Sequence, residues 1–490
     1  MKKKILLSLF LCLLYGYVGY FSFGFDDEFA NMRWIEKLGI GIVHFTQSFD
    51  VHPPGSYFID WMLFAFLGKW ELVRLFISLI TASSLIYAIL SINKRYGETA
   101  GLISFFLLGL NPAILFWCTS LRWYAFFVPV LIWLSIVPRK NGWLYWAKCF
   151  GGLIILGYLG YAVFIVAIPT LLIYWSESEE KFRDKIKNIF RFGFLFLVLY
   201  SYQLFVFFSV HLKFKDGQVS SLLNNLVGFF TAQISNQGLF PLSFPGILAS
   251  VATIGIVLII LYSDINRNVR NNYFISYSLT SIFTIITGIA GKFRNLVILS
   301  PWQALWISTA KIQVPQKKFF LIFLFFLVLG NLWGDYNIIS HQNTTKSDWN
   351  IPLKEIMNDL NKDRLKCKND IIILCSNEML TWNLERSGYH VMSIYAQHQL
   401  NRQELLKKHN CVVILKTWAG KISSDDYKKL YSETELLGFS KKIKVNFGRD
   451  NYFKIKHKLD SRYPEFMVEA TKYYEVRNLN KLTEWSPINN

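Results

Sequence analysis

Apolar stretches of roughly 17 to 25 residues recur along this chain from Ile5 to Asn337, each long enough to cross a hydrocarbon core of about 30 Å. A backbone surrounded by lipid must satisfy its own hydrogen bonds, so such runs can only be helices. Eleven crossings are predicted, near 5–23, 72–92, 99–118, 122–137, 144–158, 159–175, 190–209, 245–262, 273–290, 295–310 and 319–337. Ser56 to Leu67 is too short to span comfortably and ends at Gly68-Lys69-Trp70-Glu71, which predicts a surface-lying or re-entrant helix. From 338 to 490 no spanning run occurs, and short apolar strands alternate with amphipathic stretches. The expected fold class is therefore a polytopic α-helical membrane protein of about 11 spans with a small C-terminal α/β domain. Its first outer loop is 24–71, a second outer loop is 210–244, and the soluble domain is 338–490.

The formal net charge of +19 invites a nucleic-acid partner, but its distribution argues otherwise. Residues 1–337 carry 27 Lys/Arg against 15 Asp/Glu, and residues 338–490 carry 25 against 18. Most of the excess lies between spans, as the positive-inside rule requires, so no nucleic-acid partner is expected. Lys2-Lys3-Lys4 ahead of the first span, with no small-x-small cleavage site after it, predicts a retained signal-anchor with a cytoplasmic N-terminus. Eleven crossings then deliver the tail to the extracytoplasmic side. In this topology 18 of the 27 cations fall on the cytoplasmic side. Arg122, Lys292 and Arg294 are exceptions, set on the outer side against span ends. The six cysteines show no CxxC or Cys/His metal spacing. In an extracytoplasmic tail, Cys375 with Cys411 is the expected disulfide, because both flank predicted strands.

Four polar constellations fall on the predicted outer face. Asp26-Asp27-Glu28 opens the first outer loop, where a carboxylate could take a proton from a hydroxyl or bind a divalent cation with neighbouring oxygens. The plainer reading is an acidic start to the amphipathic helix over Phe29–Glu36, since acidic side chains favour helix N-termini. Asp50-Val51-His52-Pro53-Pro54-Gly55 follows; its proline pair fixes an extended backbone, holding Asp50 and His52 in a defined loop, or simply ends a loop before a helix. Ser120-Leu121-Arg122-Trp123-Tyr124-Ala125 could hold a phosphate through Arg122 against an aromatic wall, or anchor the chain at the interface. Lys292-Phe293-Arg294-Asn295, ahead of Pro301, repeats the cationic argument.

In order and spacing these segments resemble glycosyltransferase family 39 and its relatives in the GT-C class, which include protein O-mannosyltransferases and the aminoarabinose transferase that modifies lipid A. The family's Asp-Glu pair in the first outer loop is similar to Asp27-Glu28. Its D-x-H-P-P-L segment resembles Asp50 to Pro54, with Gly55 replacing Leu. Its Arg-x-Tyr-Ala resembles Arg122 to Ala125, without the usual glutamate-containing lead-in, and its late basic segment resembles Lys292 to Pro301. The likeness runs through about residues 5–310. The tail matches no named domain.

The resemblance implies a GT-C-like fold and inverting transfer of a sugar from a polyprenyl-phosphate donor to a hydroxyl acceptor on protein, lipid or glycan, in contact with membrane lipid. It implies Asp27 as general base, with Asp26 and Glu28 as alternates. Arg122, Lys292 and Arg294 would offset charge on the departing lipid phosphate, with Tyr124 beside them, while Asp50 and His52 would orient sugar or base. No metal ligand set is assigned, although a divalent cation stays open as cofactor. The competing classes are a lipid-linked sugar transporter, which should bury polar residues within its spans, and a non-catalytic envelope assembly protein.

Overall fold

A computed structural model describes residues 2–21, 26–49, 53–137, 142–211, 226, 229, 244–287, 293–348, 371–375, 378–393, 411–416, 435–436, 441–446 and 469–478. The chain forms two compact units. One comprises Met1–Ser22, Trp34–Gln342 and Asp450–Tyr452; the other comprises Phe23–Arg33, Asn343–Arg449 and Phe453–Asn490.

The helices through residue 348 are α1 (Lys2–Phe21), α2 (Asp26–Leu38), α3 (Ile42–Phe49), α4 (Gly55–Leu67), α5 (Trp70–Tyr96), α6 (Glu98–Ser104), α7 (Pro112–Trp117), α8 (Trp123–Ser135), α9 (Trp143–Leu159), α10 (Val163–Glu177), α11 (Phe182–Val206), α12 (Phe244–Ser263), α13 (Ile265–Val269), α14 (Asn272–Ile286), α15 (Ser300–Thr309) and α16 (Val314–Asp348). Five segments are long and apolar enough to cross a membrane: Lys4–Phe21, Trp70–Tyr96, Phe182–Ser209, Phe244–Ser263 and Val314–Ile339. Shorter helices occupy the other six expected spans. One of these, expected over 99–118, is broken. α6 passes through a π turn at Phe105–Gly109, and Asn111 starts α7 by accepting the Ala113 and Ile114 amides at 3.0 and 3.1 Å. Pro112 forces this, because it disfavours helix in the residue before it and suits a helix's first turn. α4 has 13 residues, about 20 Å at 1.5 Å per residue, too short to span.

Lipid contact explains the outer surface. Along α11 only Tyr200, Gln203 and Val206 are buried, while Phe190, Phe194 and Phe205 stand exposed. Apolar exposure on this scale belongs in a bilayer, and the protein is an integral membrane protein. Inside, α1 lies along α5, α5 meets α8, α8 meets α9, and α9 meets α11. Small residues permit the closest approach: a Cβ added to Gly19 would sit 2.0 Å from Ser78 Oγ.

One end of the bundle gathers the cation-bearing turns. Arg95 at the end of α5 ion-pairs with Glu177 and donates from Nη1 to the Val137 carbonyl at 3.0 Å. Glu180 accepts from the Gly142 amide at 2.7 Å, Trp146 Nε1 at 2.9 Å and Asn188 Nδ2 at 3.1 Å. The Asn268 side chain closes the α13 turn against Lys311, donating from Nδ2 to the Lys311 carbonyl and accepting the Lys311 amide on Oδ1, each at 2.9 Å.

The second unit carries a six-stranded sheet, β1 (Ile371–Cys375), β2 (His390–Ser393), β3 (Cys411–Lys416), β4 (Glu435–Leu436), β5 (Lys441–Asn446) and β6 (Glu469–Asn478). Its order is β2-β1-β3-β6-β4, with β5 also on β6; β1 is parallel to β2 and β3, and β6 is antiparallel to its neighbours. The crossover from β1 to β2 is α17 (Glu378–Arg386). Its end is set by Gly388, at φ +81°, where the Tyr389 amide reaches back to the Leu384 carbonyl at 3.1 Å.

One expectation for the tail is corrected. Cys411 pairs with Ile371 in the parallel register, so Cys375 lies four residues further along, about 13 Å away at 3.3 Å per residue. A disulfide spans Cα atoms no more than about 7 Å apart, so these two cannot be joined in this sheet. β5 pairs with β6. A strand near 451–457 and helices near 401–409 and 424–434, which the apolar and amphipathic pattern of the tail also predicts, lie outside the described residues.

Candidate active site

The strongest convergence is at the N-terminus of α8. Arg122 occupies the N-cap with extended backbone (φ −136°, ψ 158°), and its side chain is largely buried. A guanidinium opposes the positive end of a helix dipole, so cation and dipole together make a local field suited to an anion. The turn before it is held from within: Ser120 Oγ donates to the Trp117 carbonyl at 2.6 Å, and the Arg122 amide donates to the Ser120 carbonyl at 2.9 Å. Thr81 of α5 donates to the Cys118 carbonyl at 3.2 Å. Tyr124 is buried, its ring edge-on to Trp117 at 5.6 Å and to Trp123 at 5.4 Å. Its ring is thus packed among these aromatic side chains inside the bundle.

A second motif reaches the same place. Pro54 caps α4, and the Phe58 amide donates to its carbonyl at 2.9 Å. At Gly55 an added Cβ would lie 2.5 Å from the Tyr158 carbonyl oxygen, at the end of α9. Two residues on, a Cβ at Gly160 would meet the Trp123 ring at 2.6 Å. The α9–α10 turn therefore touches both the proline segment and the residue beside Arg122. A leucine directly after the prolines would have no room against the Tyr158 backbone.

The third motif also arrives here. The 3-10 helix Phe293–Leu299 packs against α7 and α8, which flank Arg122. Arg294 is in this turn; its side chain, and all of Lys292, lie outside the described residues. Asp50 and His52 likewise lie outside them.

The carboxylates are placed differently. Asp26, Asp27 and Glu28 form the first turn of α2, so the helix begins three residues earlier than Phe29, and the acidic residues sit where the dipole favours them. Glu28 is fully buried; the side chains of Asp26 and Asp27 lie outside the described residues. This acidic turn belongs to the second unit, while Arg122, Tyr124 and Arg294 belong to the first. Among the described residues, no three His, Cys, Asp or Glu side chains converge as a metal site would require.

Sequence reasoning passed over Asp60 in α4, Arg74 in α5 and Asp335 in α16, all buried. These three place ionisable groups inside helices as well as in the loops. Their signal was available: a charge inside an apolar helical run is expensive and marks function by default.

No protein-family model and no curated protein matches the chain by sequence. Among solved structures, ArnT from Cupriavidus metallidurans in the apo state matches with a TM-score of 0.53 at 10% identity, over 89% of this chain and 96% of that one. The fold is GT-C-like. ArnT is a lipid A aminoarabinose transferase of the GT-C class, and the likeness spans both the helical bundle and the tail. At this identity it is the fold that is shared.

Proposed function

We propose that this GT-C-like protein is an inverting glycosyltransferase acting at the extracytoplasmic face, with a polyprenyl-phosphate sugar as donor and a hydroxyl group as acceptor. The observation that carries this reading is the meeting of three separate sequence segments around the N-terminus of α8, in a fold shared with ArnT. Asp27 removes the acceptor proton, with Asp26 and Glu28 as the alternates. The acceptor oxygen bonds to the anomeric carbon as the bond from that carbon to the phosphate oxygen breaks. The proton ends on the carboxylate, and the lipid phosphate leaves with the electron pair. Arg122, helped by Lys292 and Arg294, offsets the charge that builds on that phosphate in a poorly hydrated setting where such stabilisation is large. Asp50 and His52 orient the sugar. The cation-rich end of the bundle is the cytoplasmic side, in keeping with the positive-inside rule.

The buried Asp60, Arg74 and Asp335 favour one second reading, a transporter of the lipid-linked sugar. Purified protein in liposomes separates the two. Supplied with a polyprenyl-phosphate sugar and a panel of hydroxyl acceptors, a transferase yields glycosylated acceptor and free polyprenyl phosphate, detectable by mass spectrometry. Movement of intact donor between leaflets with no product would replace the transferase by the transporter.

A further inference from the structure

The acidic turn of α2 is tied to the tail by a specific pair. Arg33 Nε donates to Glu385 Oε2 at 2.9 Å and Arg33 Nη2 donates to Glu385 Oε1 at 3.0 Å, a two-point clamp with both groups inside the second unit. The Arg33 side chain is only 1% exposed and that of Glu385 20%. A bidentate guanidinium–carboxylate pair fixes orientation as well as distance, which a lysine at the same place would not do.

Glu385 is an unexpected residue where it stands. It occupies the last turn of α17, with its own carbonyl accepting from the Gly388 amide at 3.0 Å, and a carboxylate there faces the negative end of the helix dipole. α17 itself is firmly seated, with Thr381 and Leu384 fully buried and its end locked by the Gly388 turn. The carboxylate is therefore presented from a seated element at a helix end that disfavours it, and Arg33 brings it an opposite charge.

Arg33 in turn lies on the same continuous helix as the acidic residues. Asp27 is six residues and Glu28 five residues earlier, roughly 9 and 7.5 Å along the axis at 1.5 Å per residue. A helix held at one point by a two-point clamp cannot turn about its axis without breaking it. Any turn or slide of α2 would move the acidic residues with it.

We propose that Glu385 is a positioning residue of the transfer reaction, which through Arg33 sets the rotation and depth of the helix carrying Asp27 and Glu28. This rests on the reading of that acidic turn as the base. It gives the tail a part in the chemistry without any catalytic group of its own.

The test uses full-length protein in liposomes with a polyprenyl-phosphate sugar, measuring kcat and the KM of donor and acceptor separately. Glu385→Gln keeps the shape and removes the charge. It is expected to lower kcat about tenfold or more, since small misplacements of reacting groups carry penalties of that size, while the donor KM changes less than about twofold. The exchanged pair Arg33→Glu with Glu385→Arg should recover most of the loss, and tail resistance to limited proteolysis should stay at the wild-type level throughout. Wild-type kcat in Glu385→Gln, while Asp27→Asn is inactive, removes the clamp and leaves the base. A loss of kcat that only accompanies faster proteolysis of the tail, or an exchanged pair no better than either single change, also overturns the proposal. Full activity in Asp27→Asn, Asp26→Asn and Glu28→Gln alike would instead remove the underlying reading, and the positioning role with it.

Discussion

The two ends of the helical bundle are built from the same kinds of residue and treat charge in opposite ways. At the end bearing Lys94, Arg95 and Lys181, charges are joined to one another and to turn backbones: Arg95 to Glu177 and Val137, and Glu180 to Gly142, Trp146 and Asn188. Those bonds close the turns between α5, α8, α9, α10 and α11. At the other end Arg122 stands at the positive end of a helix, framed by packed aromatic rings and by the Gly55 and Gly160 contacts. One end uses charge to hold helices together; the other spends structure to hold a charge. On the proposed function, the first is a scaffold end and the second a working end.

The sharpest test lies at the proposed base. Asp27→Asn should lower transfer by about 10²- to 10⁴-fold, the usual contribution of a general base, with membrane abundance unchanged. Equal product formation by mutant and wild type would remove Asp27 from that role. Arg122→Ala should cost about 10²- to 10³-fold in kcat/KM for the donor, the scale of losing one group that stabilises transition-state charge. Acceptor KM should change little, and a donor dependence unaltered by the substitution would strip Arg122 of its phosphate.

Gly55→Leu tests whether the two motifs meet as described. The new side chain must displace the Tyr158 backbone, so a destabilisation of about 1–3 kcal/mol is expected, as for other overpacked sites. A thermal midpoint equal to wild type would contradict the contact. The smallest effect is expected at the scaffold end. Burial acts to raise the Glu180 pKa, but hydrogen bonds from Trp146, Gly142 and Asn188 and the charge of Lys185 outweigh it and hold the carboxyl below its ordinary value. A depressed carboxyl stabilises the fold above its unfolded-state pKa, and that stability is lost as pH falls through the folded one. Glu180→Gln should therefore lower stability slightly at neutral pH, by less than about 1 kcal/mol after solvent screening, read as a small drop in thermal midpoint, and flatten the acid limb. Transfer per folded molecule should be unchanged; a loss comparable to that of Arg122→Ala would erase the distinction between the two ends.

Much of the bundle was open to sequence reasoning because membrane burial depends on composition over a whole run. The runs over 5–23, 72–92, 190–209, 245–262 and 319–337 each became one long helix. The run over 99–118 did not, although Asn111-Pro112 carried the signal for its break. Strands β1 and β3 were equally plain from continuous apolar runs, whereas their parallel register and the pairing of β3 with β6 were not, because pairing joins distant segments and leaves no local trace.

By itself the sequence determined that this chain crosses a membrane many times, that a separate α/β domain follows, and that a few polar segments interrupt the apolar pattern. These are properties of single stretches, set by the transfer of side chains and backbone out of water. Only the tertiary structure decided that the proline segment and Arg122 meet across the α9–α10 turn, that Gly55 must lack a side chain, that Cys375 and Cys411 lie too far apart to join, and that Arg33 is clamped by Glu385. Each of these depends on distances between residues far apart in the chain, which packing sets and no local pattern encodes.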